Sequence, residues 1–264
     1  MRIAVFGNSH VGMLRAASTQ DEFDHCTFAW MARHTPGTRD FEVRGTSIVD
    51  TTKGRLHAPG LEAHLDLAEF DAVVIAGNTI RVNDVARLIR SHFVPAWTGA
   101  TKANQIMAAG KRSGKQLYPM TEVALHATLR ALISDNLTFA WLSALHDAVD
   151  IPFFVVPPVF AREAVLSPDT ERHEAFRSIA DQDVFDHLAQ AFRAAHLDVF
   201  SAFGRATVIL QDERTITHGF FTKDAFSRGA TGLDPAKAYA EDDMLHGNPE
   251  MGRLTLNEIV RNIG

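Results

Sequence analysis

Three short, uninterrupted apolar runs set the limits on what this chain can fold into. Residues 3–6 read Ile-Ala-Val-Phe, residues 72–76 Ala-Val-Val-Ile-Ala and residues 152–156 Pro-Phe-Phe-Val-Val. A run of this length with no polar alternation is the mark of a strand covered on both faces, as in a parallel sheet. Residues 27–31 form a fourth candidate strand, and residues 41–49 a small hairpin or edge pair around Gly45. Residues 207–210 read either as a fifth core strand or as part of a late hairpin with 215–221. Helical spacing separates these runs at 12–19, 83–92, 121–149, 183–195 and 249–262. Thr121 and Asn248 stand where N-caps belong, and Pro249 suits a first helical position. Strand–helix alternation predicts an α/β fold, a three-layer α/β/α sandwich with a mostly parallel, doubly wound, flavodoxin-like sheet. One domain is expected across residues 1–264. Inserted loops near 97–120 and 212–242 interrupt the alternation and contain several glycines.

Composition narrows the function classes. Of 264 residues 46% are apolar and 22% charged, enough to bury a large core without disulfides or metals. The net charge of −6 and the absence of a Lys/Arg run argue against nucleic acid as a partner. Cys26 is the only cysteine, which excludes an internal disulfide and fits a reducing compartment. The first apolar run is too short for a signal-peptide core, and no stretch reaches the roughly 20 apolar residues of a membrane span. The expected location is therefore the cytoplasm.

Ligands of doubly wound sheets bind beyond the carboxyl ends of the strands, so the residues that follow each strand carry the functional information. The first strand runs into Gly7-Asn8-Ser9-His10-Val11-Gly12. Ser9 then lies on a sharp turn beside a helix start, where backbone N–H groups favour developing negative charge. A helix cap or a phosphate-binding turn would use the same residue. The turn lacks the middle glycine of a dinucleotide fingerprint, so no nucleotide cofactor is expected. The segment from Gly110 to Lys115 lacks the spacing and the hydroxyl residue of a phosphate loop. After the run 72–76 come Gly77 and Asn78; an Asn amide there can donate to an oxyanion, and a plain Gly-Asn turn is the alternative. Near the end, Asp243 precedes His246 by three residues, just before the last helix. The carboxylate can accept from one ring nitrogen and leave the other free to take a proton. No metal-ligand spacing occurs among the histidines.

Together these blocks resemble the SGNH (GDSL-type) hydrolase superfamily. Gly7-Asn8-Ser9 matches its nucleophile block with Asn8 in place of the usual Asp. Gly77-Asn78 matches its Asn block, here followed by Thr79-Ile80. Asp243 to His246 matches its terminal Asp-x-x-His. The resemblance implies a nucleophile Ser9, a general base His246 oriented by Asp243, and an oxyanion hole from Ser9 N–H, Gly37 N–H and the Asn78 amide, with Gly45 as the alternative to Gly37. It implies a serine esterase or deacylase acting on an acetyl or short acyl ester, without cofactor, on a small-molecule substrate such as an acylated carbohydrate. An O-acyltransferase acting on a sugar hydroxyl would share the site. A non-catalytic sugar- or nucleotide-binding protein would share the fold. Phe220, Phe221, Phe226 and Arg228, ahead of the last block, are candidates to line the pocket or simply to pack their loop.

Overall fold

The computed structural model describes residues 1–33, 40–51, 58–112, 117–167, 176, 184–234 and 237–264. Five parallel strands form the central sheet: β1 (Arg2–Gly7), β2 (Thr27–Ala32), β6 (Ala72–Ala76), β9 (Phe153–Val156) and β10 (Ala206–Val208), in the order β10-β9-β6-β1-β2. Between β2 and β6 the chain adds an antiparallel ribbon of β3 (Phe41–Arg44), β4 (Ser47–Asp50) and β5 (His64–Asp66). Gly45, at φ 60°, makes the β3–β4 turn. β10 pairs with β9 in parallel and is a fifth core strand. The late hairpin instead joins β11 (Ile216–Thr217) to β12 (Phe221–Thr222).

Seven helices among the described residues complete the layers: α1 (Val11–Ala17), α2 (Val82–Ser91), α3 (Pro95–Arg112), α4 (Glu122–Ser134), α5 (Leu137–Leu145), α6 (Phe185–Phe200) and α7 (Pro249–Ile263). Successive strand residues feed two separate cores. Ala4, Phe6, Val73, Ile75, Phe153 and Val155 face the core built with α2, α4, α5 and α6. Ile3, Val5, Val74, Phe154 and Val156 face the core built with α1 and α7. Because both faces are buried, neither alternate position tolerates a polar group without several kcal/mol of desolvation, and the strands read as continuous apolar runs. The result is the expected α/β/α sandwich. No helix among the described residues is long and apolar enough to cross a membrane.

Two expectations change. The helix expected over 121–149 is two helices. Asp135-Asn136 interrupts it, and the Asn136 side chain caps α5 by accepting from Phe139 N–H at 3.2 Å. Small polar residues favour such caps over helix interiors, and the apolar stripe on either side concealed the break. The stretch 97–120 is no loop throughout. Most of it is α3, kinked at Gly99 (φ 73°), followed by β8 (Tyr118–Pro119), which pairs in parallel with β7 (His92–Phe93). Its Ala, Gln, Met and Lys residues are good helix formers, and that propensity outweighs the glycines that suggested a loop.

Candidate active site

The order β10-β9-β6-β1-β2 reverses direction between β1 and β6. Chain leaving the two adjacent carboxyl ends diverges there and opens a crevice. Ser9 follows β1 and Asn78 follows β6, so both stand at its mouth. The two turns lock together. Asn8 N–H donates to Ala76 O at 3.1 Å, and the Asn8 side-chain oxygen accepts from His10 N–H at 3.0 Å. Gly77, at φ 71°, leaves room for that side chain: a Cβ there would lie 2.0 Å from Asn8 Oδ1. A neutral amide thus performs the turn-closing role with its oxygen alone.

The third component arrives from the far end of the chain. Asn248 caps α7 by accepting from Met251 N–H at 3.1 Å. α7 packs closely on α1, where a Cβ at Gly252 would meet Met13 O at 2.0 Å. That contact brings the residues ahead of α7 beside the residues ahead of α1. The His246 carbonyl accepts from Ser227 Oγ at 2.9 Å, and the His246 ring reaches Ser9: Nε2 lies 2.8 Å from Ser9 Oγ. Nδ1 lies 2.8 Å from Asp243 Oδ2, while Asp243 Oδ1 accepts from Leu245 N–H at 3.3 Å. Burial pushes the Asp243 carboxyl up, but the hydrogen bond and charge of His246 and the Leu245 N–H outweigh it and hold it below the usual carboxylate value. An ionised Asp243 keeps the proton on Nδ1, so Nε2 accepts the Ser9 hydroxyl proton.

Arg162, buried after β9, holds the segment that carries Asp243. Its guanidinium grips Asp224 through two hydrogen bonds of 2.6 and 2.9 Å and donates to Glu241 O at 3.0 Å. Its N–H donates to Met244 O at 2.8 Å. Arg162→Met is expected to lower stability by about 2 kcal/mol, less than the ~3–5 kcal/mol of a fully buried pair because Asp224 is partly exposed. Thermal unfolding and site reactivity measured on the same sample should fall together.

A cavity of about 780 Å³ opens at Ser9, His246 and Asn78. Arg81, Asn83, Ser134, Asp135 and Asn136 form its polar wall, and Val82, Leu137, Ala140, Pro158 and Val159 its apolar wall. Asn78 sits in the left-handed region (φ 55°), and its buried Nδ2 has no hydrogen-bond partner among the described residues. Thr79, next along, is fixed by His196. That ring donates from Nδ1 to Phe192 O at 2.8 Å and accepts from Thr79 Oγ1 through Nε2 at 2.9 Å.

Two residues the sequence did not single out complete the surroundings of His246. The Tyr239 ring stacks on the imidazole, 4.1 Å between centroids and 10° from parallel. The His10 ring lies 5.1 Å away at 35°. Only the position of His10 beside Ser9 was visible beforehand; the stack on Tyr239 depends on long-range folding. Burial, with the neighbouring His246 second, lowers the His10 pKa to about 3, against a raising contribution from Asp243. Burial likewise lowers His196 to about 4, opposed by its bond to Phe192 O. Both rings are neutral in the folded state where the unfolded chain is protonated, so stability is lost as pH falls below about 6.5. Between pH 6.5 and 5 the loss is on the order of 2 kcal/mol for each histidine. Tm should fall over that interval, and by less in His196→Gln.

The remaining candidates divide as follows. Gly37 lies outside the described residues. Gly45 is in the β3–β4 turn. Phe220 and Phe221 are buried among Phe160, Phe192, Phe176 and Phe185, and Arg228 pairs with Asp224; neither they nor Phe226 line the cavity. Their aromatic surface serves the core, the more favourable use of large apolar groups. Among the described residues no group of His, Cys, Asp and Glu is placed to hold a metal ion.

No family model and no curated protein matches this chain. A solved structure of a Corynascus thermopiles (Myceliophthora fergusii) carbohydrate esterase family 2 enzyme plus carbohydrate binding domain is similar at 11% identity and a TM-score of 0.35. The match covers 99% of this chain and 65% of that one, so the chain spans just under two thirds of that structure's length. So low a TM-score transfers neither fold nor activity, and the chemistry of the site rests on its own geometry.

Proposed function

We propose that this chain is a serine esterase that cleaves acetyl or short acyl esters through an acyl-Ser9 intermediate. The observation that carries the reading is the continuous hydrogen-bond chain from Ser9 Oγ through His246 to Asp243, 2.8 Å at each link, opening on the cavity at the sheet's reversal point. Ser9 Oγ attacks the ester carbonyl carbon as His246 Nε2 takes its proton. The carbonyl oxygen becomes an oxyanion, received by the Ser9 N–H and the Asn78 amide. The unpartnered Asn78 Nδ2 supports that role, since a buried donor without an acceptor is costly until a ligand supplies one. Collapse of the tetrahedral intermediate breaks the C–O bond, and the leaving alcohol carries away the proton held by His246. Water then attacks the acyl carbon, giving its proton to His246, and the second collapse returns Ser9 and a carboxylic acid.

The polar wall of Arg81, Asn83, Ser134, Asp135 and Asn136 supports a hydroxyl-rich alcohol such as a carbohydrate as the substrate's other half. Turnover of an acetylated sugar, an aryl acetate and a long-chain aryl ester tests this directly. The reading expects hydrolysis of both acetates, with kcat/KM highest for the sugar, and little for the long chain. Absence of turnover on every ester would remove the esterase reading.

A further inference from the structure

We propose that Tyr239 is the positioning residue for His246, and that its ring face stabilises the imidazolium formed when Ser9 is deprotonated. The inference rests on the esterase reading. His246 bonds Asp243 through Nδ1 and Ser9 through Nε2, and the N–H and lone pair of an imidazole both point in the ring plane. Such bonds fix the direction of each nitrogen but leave the ring free to tilt about the line that joins them. A flat partner removes this freedom, and Tyr239 is one, 4.1 Å away and 10° from parallel.

The stack also acts on charge. The imidazole is neutral before proton transfer and cationic after it, and an aromatic face attracts the cation more than the neutral ring. A contact that strengthens as charge develops lowers the barrier rather than tightening substrate binding. Tyr239 remains a neutral ring: burial pushes its phenol above the usual value, with the adjacent Ser9 hydroxyl opposing. His10, the other ring beside His246, is buried and uncharged at working pH, so it brings no competing positive charge.

Tyr239 can hold His246 because it is anchored independently of it. Tyr239 N–H donates to Ala230 O at 2.8 Å, Gly232 N–H donates to Lys237 O at 2.9 Å, and Thr231 bridges Ala238. This strap lies on the start of α1, where a Cβ at Gly12 would come within 2.6 Å of Thr231 O and 2.8 Å of Gly232 O. The strap is therefore seated on the same helix that begins beside Ser9.

Tyr239→Phe and Tyr239→Leu separate the contribution of the ring from that of the hydroxyl beside Ser9. Tyr239→Leu should lower kcat by about tenfold, with KM within about twofold, and slow fluorophosphonate labelling by a similar factor. Tyr239→Phe keeps the ring but loses the phenol hydroxyl that bonds Ser9, so it should retain at least several-fold more kcat and labelling rate than Tyr239→Leu. The stack also predicts upfield ring-current displacement of the His246 carbon-bound protons in wild type and Tyr239→Phe, a readout that needs neither activity nor the leucine variant. Wild-type rates in Tyr239→Leu, equal losses in both variants, or undisplaced His246 resonances in the wild type would each overturn the inference. An inert wild type overturns the esterase reading and this inference with it; an active wild type beside an unaffected Tyr239→Leu overturns this inference alone.

Discussion

Ser9→Ala is expected to remove ester turnover almost entirely, by up to about 10⁶-fold in kcat, while leaving the fold and Tm close to wild type. The size follows from the proposed chemistry: without Oγ the acyl-enzyme of that mechanism cannot form, and water would have to attack the ester directly. The fold is spared because the Ser9 side chain is linked to His246 Nε2, whereas the turn is closed by Asn8. Ester kinetics beside a thermal melt check both halves. A variant retaining a tenth of wild-type kcat would mean that Ser9 is not the nucleophile.

Asp243→Asn has the second largest expected effect, about 10⁴-fold in kcat. The structure supplies a specific reason. One carboxylate oxygen of Asp243 accepts from Leu245 N–H and the other faces His246 Nδ1. An asparagine would keep its oxygen on the Leu245 donor and turn its NH₂ toward Nδ1. The imidazole would then carry its proton on Nε2, facing Ser9, and could not accept the hydroxyl proton. Nearly unchanged volume should leave stability within about 1 kcal/mol of wild type, so a loss of rate without a loss of Tm is the signature. Measured near neutral pH, a decrease of less than tenfold would contradict the orienting role.

The sheet was legible because strands buried on both faces read as apolar runs: 72–76 and 152–156 contain no polar side chain. The cap at Asn248 and the proline after it marked the start of α7 equally well, because cap chemistry is local. Ser9, Asn78, Asp243 and His246 could be singled out from their places just after a strand or in the segment that leads into the last helix.

What the sequence concealed depends on contacts distant along the chain. The break at Asn136 looked like continuous helix, since the leucines on both sides keep helical spacing. Yet that break puts the α5 cap into the cavity wall. Phe220 and Phe221 read equally as pocket walls or as packing, and only the folded core of Phe160, Phe176, Phe185 and Phe192 decides for packing. Tyr239 stood in an irregular segment with no pattern to distinguish it. Only the seating of its strap on Gly12 brings it to His246. Asn8 stands in place of the usual Asp, and the folded turn shows why this suffices: the interaction it makes with His10 N–H needs only an oxygen.

Covalent trapping tests the central claim most directly. Wild-type protein treated with a fluorophosphonate and digested should carry one adduct, on the peptide containing Ser9, and none should form in Ser9→Ala or His246→Ala. An adduct on a different residue, or no adduct on folded wild-type protein, would contradict the assignment of Ser9 as the nucleophile.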